Sequence, residues 1–215
     1  LQFIHLRKQR FTVYICLAIN TDSETLLAQM NELKIPFIEV KREENLAGDV
    51  VSKKDVIKDT LKKCEEKEKI IFDVVIDLDL TSPLRRVDDV KGTLDKLLAD
   101  EKADISFSVT NARRSPYFNM VEKKEDGYYR TVAQTNYTTR QQAPACYDMN
   151  ASIYAYNRKY LLGDNVFERK AVIWNMPDTG VLDIDSEEDL ELMEVVGKFL
   201  FEKKAGYREL YEWTR

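Results

Sequence analysis

The chain has 215 residues, 44% of them hydrophobic and 33% charged, a composition typical of a folded globular domain rather than a disordered chain. Its 33 Lys and Arg residues against 38 Asp and Glu residues give a net charge of −5, which argues against a nucleic-acid-binding protein. The sequence has no run of about 18 apolar residues. We therefore expect no membrane-spanning helix and a cytoplasmic protein.

The cysteine and histidine content argues against several kinds of catalytic and metal site. Cys16, Cys64 and Cys146 are far apart and odd in number, so they predict neither a disulfide framework nor a zinc site. We interpret them as reduced structural thiols. The single histidine, His5, lies near the start of the chain, so we expect neither a catalytic histidine nor a histidine-rich metal site.

The first half of the chain alternates strand-like and helix-like segments. A strand is predicted over residues 11–19, and Thr21-Asp22-Ser23 then offers capping chemistry for a helix. A short strand over 37–40 and a helix over 52–67 follow. The most continuously apolar run, 70–80, predicts a central strand that helices cover on both faces.

The second half continues this alternation around one insertion. A turn at 81–83 leads into a helix, and the closing helix begins at Ser186. Between them, the segment 111–147 is polar, rich in Tyr and carries the turn Glu125-Asp126-Gly127, which predicts an inserted hairpin or flap. Three further short strands are predicted, over 104–109, 151–156 and 171–174.

The order of these elements predicts the fold class. Alternating strands and helices indicate an α/β layered fold with a mainly parallel sheet. We expect a single domain over residues 1–215. In open sheets of this kind, ligands bind beyond the carboxyl ends of the strands, so residues that directly follow strands are the first candidates for a site.

Two carboxylates and two hydroxyls stand at the end of the predicted central strand. Asp77 and Asp79 point to the same side because side chains alternate along a strand. An unpaired carboxylate near a core is costly, so each should face a partner, a metal or a ligand. Thr81 and Ser82 can donate to a sugar or phosphate oxygen. The alternative is structural, with acids that cap a helix or pair with Arg and a hydroxyl–proline turn that caps the next helix.

Two later motifs also carry charge. Asp183 and Asp185 lie on one face of an extended segment before the closing helix, and paired oxygen ligands of this kind suit Mg²⁺ or Mn²⁺. Alternatively, they are acids that the helix macrodipole favours at a helix start. Arg140, with the amides of Gln141 and Asn150, suits a carboxylate or phosphate, or else belongs to a solvated loop.

Taken in order, seven motifs resemble those of the CMP-sialic acid synthetases and their relatives that act on legionaminic or pseudaminic acid. The resemblance runs from about residue 12 to residue 197. Each motif is modest alone, but seven in the right order with matching spacing are specific. They are NTDSE (20–24), ENLAGD (44–49), LTSPLR (80–85), SPYF (115–118), RQQAP (140–144), NASIY (150–154) and LDIDSEED (182–189).

The resemblance implies an α/β fold of the nucleotide-diphospho-sugar transferase type, dimeric, in which the flap of one subunit reaches toward its neighbour. It implies a reaction in which CTP and a free nine-carbon 2-keto sugar acid give a CMP-sugar and pyrophosphate. The anomeric hydroxyl of the sugar attacks the α-phosphorus in line, so catalysis depends mostly on positioning and charge neutralisation. The implied partners are CTP, the sugar acid and a second copy of the chain, without nucleic acid or membrane.

The family pattern also assigns residues when it is carried onto matching positions. It implies that Asp183 and Asp185 hold Mg²⁺ and that Arg140 meets the sugar carboxylate or a phosphate. The remaining implied contacts are with the sugar at Asp79, Thr81, Ser82, Gln141, Asn150 and Tyr154, and with the cytidine half at Arg42 and Ser52.

Three departures from the family pattern bear on function. Sialic-acid enzymes usually have Gln where this chain has Asp79 and no carboxylate at Asp77, and a basic residue often stands at Phe118. We therefore expect a sugar other than N-acetylneuraminate, such as legionaminic acid. The family's opening loop of Arg, Gly, Ser and Lys has no match in the first ten residues, which predicts a missing central strand and a weakened triphosphate site.

Two alternatives remain open at this point. One is a non-catalytic homologue that binds a sugar or a nucleotide sugar. The other is a different nucleotide-sugar enzyme of the same broad fold, such as a glycosyltransferase that uses Asp-x-Asp for a metal.

Overall fold

The computed structural model describes residues 2–6, 13–46, 51–163, 169–179 and 183–213. The strands within these ranges are β1 (Gln2–Leu6), β2 (Val13–Thr21), β3 (Ile38–Lys41), β4 (Val74–Leu78), β5 (Ile105–Asn111), β6 (Val121–Lys123), β7 (Tyr129–Thr131), β8 (Tyr147–Asn157) and β9 (Ala171–Asn175). The helices are α1 (Glu24–Glu32), α2 (Lys53–Glu68), α3 (Val87–Ala99), α4 (Arg158–Leu162), α5 (Glu187–Lys203) and α6 (Ala205–Trp213).

Seven strands form one sheet in the order β3-β2-β1-β4-β8-β5-β9, and β6 and β7 form a separate two-stranded ribbon. The pairs β2–β3 and β5–β9 are parallel, whereas β1 and β8 run antiparallel to both of their neighbours. β2, β3, β4, β5 and β9 therefore all run in one direction. This arrangement confirms the predicted α/β fold with a mainly parallel sheet.

The centre of the sheet differs from the prediction. Sequence analysis assigned no strand to the first ten residues and expected a missing central strand. Instead, β1 lies between β2 and β4, with Ile4 opposite Ile15 on one side and Val74 on the other. Its antiparallel pairing continues the backbone ladder from β2 to β4, so the expected gap in the sheet is filled.

Local capping chemistry sets the ends of the helices. Ser23 Oγ accepts a hydrogen bond from the Leu26 amide at 3.2 Å at the start of α1, and Ser186 Oγ accepts one from the Asp189 amide at 3.2 Å at the start of α5. Both predicted starts are confirmed. Helix α2 ends at Lys69, whose φ of 55° is left-handed and stops the helix.

Apolar layers cover both faces of the central strand. Along β4, Val75 packs toward α2, while Val74 and Ile76 pack toward α3. This two-sided burial is the physical reason for the continuously apolar sequence of β4. Cys16 and Cys64 lie in the α2 layer, where burial raises the pKa of their thiols to about 11 and about 12, as expected for structural thiols.

A buried carboxylate joins α3 to β9. Asp89 is 0% exposed and accepts hydrogen bonds from Arg86 Nε at 3.0 Å, Arg86 Nη2 at 2.7 Å and Trp174 Nε1 at 3.2 Å. The Trp174 ring also packs against Gly92, where a Cβ atom would lie 2.5 Å from the ring. Glycine is therefore required at this close approach of helix and strand.

The predicted insertion contains the ribbon of β6 and β7. The two strands pair antiparallel around a turn in which Gly127 has a φ of 84°, as the hairpin prediction requires. Large apolar side chains in and around the ribbon face solvent: Met120, Val121, Tyr128, Tyr129 and Val132.

Among the helices that the structure describes, none combines the length and the apolarity that crossing a membrane requires.

Candidate active site at the carboxyl edge of the sheet

Five strands end at the same edge of the sheet, and most of the predicted site residues gather there. Arg42 follows β3, Asp79 follows β4, Arg113 follows β5 and Asp178 follows β9, while Thr21 ends β2. Ligands in open α/β sheets bind beyond this edge. The carboxyl edge is therefore the candidate site.

An ammonium group bridges the two acids of the central strand. Lys53, in the first turn of α2, places Nζ 2.9 Å from Asp77 Oδ2 and 2.7 Å from Asp79 Oδ2. Asp77 is only 7% exposed, and the contact of its Oδ2 atom with Lys53 balances this carboxylate. The sequence analysis offered an ion pair with an arginine as the structural alternative for these acids. In the structure their ion-pair partner is a lysine.

Burial and ion pairing shift the pKa values of Lys53 and Asp79 in opposite directions. Burial lowers the pKa of Lys53, but the hydrogen bonds and charges of Asp79 and Asp77 outweigh it and hold that pKa above its ordinary value. Burial likewise raises the pKa of Asp79, and Lys53 together with two hydrogen bonds from Thr81 lowers it below its ordinary value. Both groups are therefore charged at neutral pH.

The Thr81 hydroxyl connects the central strand to the segment before α5. Its Oγ1 lies 3.0 Å from Asp79 Oδ1 and 2.8 Å from Asp183 Oδ1, and the Thr81 carbonyl accepts from the Ile184 amide at 2.9 Å. Two predicted site acids far apart in the chain are thus joined by one predicted site hydroxyl. Asp185 is exposed, and its backbone amide donates to Asp189 Oδ2 at 3.1 Å.

Ser82 and Asn150 lie beneath this surface in a packed network. The buried Ser82 hydroxyl donates to the Asn150 carbonyl at 3.3 Å. Asn150 Oδ1 accepts from Ser108 Oγ at 2.7 Å, and Arg85 Nη1 donates to the carbonyl oxygens of Ser82 and Ser152 at 3.0 and 2.9 Å. Both residues therefore hold the turn after β4 against β8, while their predicted sugar contacts remain predictions.

A bulge in β8 gives Asn150 its inward position. The register between β5 and β8 shifts around Ser108, and Ala151 has a φ of 51°, in the left-handed region. Backbone strain of this kind costs on the order of 1–3 kcal/mol and persists only where surrounding contacts impose it. Here the contacts of Ser108 with Asn150 and with the Ile153 amide, at 3.0 Å, hold the bulge.

Tyr154 forms the wall next to the ammonium group. It lies opposite Asp77 in the β4–β8 pairing, and Lys53 Nζ is 5.6 Å from the centre of its ring. Its ring stacks on Tyr156 at 6.2 Å. Burial raises the pKa of Tyr154, so its phenol is protonated at neutral pH. Tyr154 thus lies beside Lys53 and Asp77, while its predicted contact with the sugar remains a prediction.

Arginines line a second part of the edge. An open cavity of about 350 Å³ between the loop after β5 and the segment before β8 contains Arg113, Arg114, Arg140 and Gln141, with Phe118 in its wall. Arg113 Nε donates to Asp178 Oδ2 at 2.7 Å. Arg114 and Arg140 are exposed and have no ion-pair partner within the described ranges. These two guanidinium groups can bind an anion.

The residues predicted for the cytidine half lie at the other end of the edge. Arg42 donates through Nε to Asn20 Oδ1 at 2.9 Å and through Nη2 to the Asn20 carbonyl at 3.0 Å. It lines an open cavity of about 770 Å³ beside β3. Ser52 precedes α2 at the N-cap position, and its side chain makes no capping hydrogen bond.

Sequence analysis missed Lys53, the cation at the centre of the site. A signal was present, because Lys53 and Lys54 stand in the first turn of α2, where the helix macrodipole disfavours cations. Its partners could not be identified from the sequence, because Asp77 lies on β4 and Asp79 directly follows it, more than twenty residues later.

The described side chains include no group of three or more His, Cys, Asp or Glu that gathers closely enough to hold a metal ion. Asp183, whose Oδ1 atom lies 2.8 Å from Thr81 Oγ1, and the exposed Asp185 nevertheless offer two carboxylates on the segment before α5. Hard oxygen donors of this kind fit Mg²⁺, which ordinarily keeps waters and substrate phosphates among its ligands and needs only one or two carboxylates from the protein.

Several known proteins are similar to this chain over most of its length. It is 38% identical over 192 residues to the CMP-N,N′-diacetyllegionaminic acid synthase of Campylobacter jejuni, a match that covers 88% of this chain and 80% of that protein. It is 37% identical over 186 residues to post-translational flagellin modification protein B of Campylobacter coli, covering 85% of this chain and 77% of the relative. The pseudaminic acid cytidylyltransferase of Campylobacter jejuni is 24% identical over 188 residues, covering 84% and 77%.

A solved structure shares the fold. The CMP:2-keto-3-deoxy-manno-octonic acid synthetase complexed with CTP superposes with a TM-score of 0.54 at 14% sequence identity, covering 87% of this chain and 81% of that one. No family-wide sequence model matches the chain.

Proposed function

The chain belongs to the CMP-nonulosonate synthetase family, and from that premise we propose that it transfers CMP from CTP to a nine-carbon 2-keto sugar acid with release of pyrophosphate. The observation that carries the proposal is the pair of acids joined by Thr81. Asp79 and Asp183 come from different parts of the chain and converge at the carboxyl edge of the sheet, where a nucleotide and a sugar have to meet.

The charges along the carboxyl edge support separate positions for the sugar carboxylate, the cytidine and the metal ion. We assign the carboxylate of the sugar acid to Arg140, in the arginine-lined cavity, because a guanidinium binds carboxylates in bidentate fashion. We assign the cytidine half to Arg42 and Ser52 and the Mg²⁺ ion to Asp183 and Asp185. When bound, the ion would neutralise charge on the triphosphate and orient it.

The residues of the chain act mainly by positioning in this scheme. The sugar's anomeric oxygen forms a bond to the α-phosphorus as the bond from that phosphorus to the pyrophosphate oxygen breaks, and the hydroxyl proton passes to solvent. Thr81 contacts Asp183 and Tyr154 lies beside Lys53, and we assign both residues contacts with the sugar. Holding both reactants in line removes much of the entropic barrier without any catalytic histidine.

Pyrophosphate release tests the proposed function. The chain is incubated with CTP and Mg²⁺, and N-acetylneuraminic, legionaminic and pseudaminic acids are supplied in parallel. We expect release with a legionaminic-type acid in preference to N-acetylneuraminate, because Asp79 stands where the sialic-acid pattern has Gln and Asp77 stands where that pattern has no carboxylate. Absence of release with every sugar, under conditions in which a control CMP-sialic acid synthetase turns over, would contradict the transfer activity.

We also propose that the chain forms a homodimer through the ribbon of β6 and β7. Several large apolar side chains lie together on the ribbon and are exposed, with Tyr128 at 71%, Tyr129 at 66% and Val121 at 60%. Apolar clusters of this kind mark interaction surfaces. Sedimentation analysis should give the mass of a dimer for the chain and of a monomer for Tyr129→Asp, with Lys123→Asp as the control on the same ribbon. A monomeric wild type would refute the proposal.

A further inference from the structure

We propose that Lys53 is a specificity-determining residue that donates a hydrogen bond to a neutral oxygen of the sugar acid, a hydroxyl or an amide carbonyl, and does not bind its carboxylate. This inference rests on the proposed function. It adds a residue that neither the motifs nor the family pattern singled out.

The geometry leaves Lys53 with a donor to spare. An ammonium group has three N–H donors. Nζ is 2.7 Å from one Asp79 oxygen and 2.9 Å from one Asp77 oxygen, which occupies at most two of them. The side chain of Lys53 is nevertheless 53% exposed, so the third donor is open to a ligand from the solvent side. The Tyr154 ring, 5.6 Å away, closes one side of this position.

The local charge decides which oxygen this donor takes. Asp77 and Asp79 already place two negative charges within 2.9 Å of a single ammonium, and with the nearby Arg85 the group has no net positive charge to offer a substrate carboxylate. A substrate carboxylate at Lys53 would be repelled by these acids. A neutral hydroxyl both accepts from the ammonium and donates to an adjacent aspartate oxygen, so it satisfies both partners.

The arginine-lined cavity supplies the positive charge that the surroundings of Lys53 lack. Arg114 and Arg140 offer positive charge that is not balanced by an ion pair within the described residues, whereas Arg113 pairs with Asp178 and also lies near Asp148. The carboxylate of the sugar acid therefore belongs in the cavity. The neutral part of the same molecule is left to face Lys53. Two differently charged parts of one edge would thereby fix the orientation of the sugar.

The test measures sugar binding and turnover separately. Lys53→Met removes the donor and keeps most of the side-chain volume, and Lys53→Met/Asp77→Asn also removes the buried charge that would be left unpaired. Lys54→Met is the matched control, because Lys54 is the next residue on α2 but donates to the Gly163 carbonyl at 3.0 Å. Calorimetry gives the affinity for sugar acids that differ by one hydroxyl or acyl group, and pyrophosphate release gives KM for sugar and for CTP.

Both Lys53 variants should bind the preferred sugar acid roughly ten- to a hundredfold more weakly, the loss expected for one charge-assisted hydrogen bond. The KM for CTP and the affinity of Lys54→Met should change little. The loss should disappear for the one analogue that lacks the contacted oxygen. Equal losses for every analogue, or a loss confined to CTP, would overturn the assignment of Lys53.

The outcomes also separate this inference from the proposed function. A wild-type chain that binds sugar acids with the expected dependence on Lys53 but releases no pyrophosphate would uphold the inference and refute the transfer activity. If the wild type releases pyrophosphate and Lys53→Met changes neither sugar binding nor turnover, the activity is upheld and the inference is refuted. A chain that neither binds nor turns over any sugar acid would refute both.

Discussion

Asp183→Asn should lower kcat/KM for cytidylyl transfer by on the order of 10²–10³-fold and leave the free energy of unfolding nearly unchanged. The reason is that Asp183 is the proposed Mg²⁺ ligand that also meets Thr81 at 2.8 Å, and metal-ion catalysis stabilises the transition state by several kcal/mol. Each 1.36 kcal/mol is a tenfold change in rate. The Asp183 side chain is only half-buried, and Asn has the same shape without the charge. The substitution therefore leaves no buried charge without a partner.

Binding of Mn²⁺ in the presence of CTP, followed by electron paramagnetic resonance, supplies a readout that does not depend on turnover. Asp183→Asn should weaken it in parallel with the loss of activity. Glu187→Gln, an exposed acid in the first turn of α5, is the matched control and should behave like wild type. Full activity or unchanged Mn²⁺ binding in Asp183→Asn would remove Asp183 from the metal site.

The site links the two ends of the proposed reaction through one chain of contacts. Asp77 and Asp79 meet Lys53 at the sugar end, and Thr81 connects Asp79 to Asp183 at the metal end. A change at either end alters the hydrogen bonding or charge of its neighbour. Variants at Asp79 and Asp183 should therefore combine non-additively, as expected for residues that share one network.

Much of the fold was predictable because it depends on local patterns. The uninterrupted apolar run gave the buried strand β4, and the capping residues Ser23 and Ser186 gave the starts of α1 and α5. Helix α6, over Ala205–Trp213, was not predicted as a separate element, because a short helix after Lys204 reads as a continuation of α5.

Other features depend on contacts between distant segments and were not predictable. β1 pairs with both β2 and β4 and fills the position between them in the sheet. This position depends on two strands that are distant in the chain, and no local pattern in residues 2–6 indicates it. The inward turn of Asn150 depends on Ser108, some forty residues earlier in the chain. Motif order selected these residues as candidates. Only the three-dimensional arrangement separates Ser82 and Asn150, which are buried beneath the candidate site, from Asp79 and Thr81, which lie closer to its surface.

Asp89→Ala should destabilise the fold by about 3–5 kcal/mol, the cost of breaking a buried ion pair by removing one partner. Asp89 is fully buried, and its carboxylate accepts from Arg86 and from the Trp174 indole, so the substitution leaves these donors without their acceptor. Asp88→Ala is the matched control, because Asp88 is exposed in the same helical turn. It should cost no more than about 1 kcal/mol through the helix macrodipole.

Urea unfolding at several pH values tests both the size and the sign of this effect. Burial raises the pKa of Asp89, but the hydrogen bonds and charge of Arg86 and the bond from Trp174 outweigh it, so that pKa lies below its ordinary value. A carboxylate with a depressed pKa stabilises the fold above its unfolded-state pKa of about 3.9, and this contribution is lost as pH falls through the lower folded-state value. The difference between wild type and Asp89→Ala should therefore be full at neutral pH and shrink in acid below about pH 4. A difference that stayed constant or grew on acidification would show that packing, rather than the ionised carboxylate, joins α3 to β9.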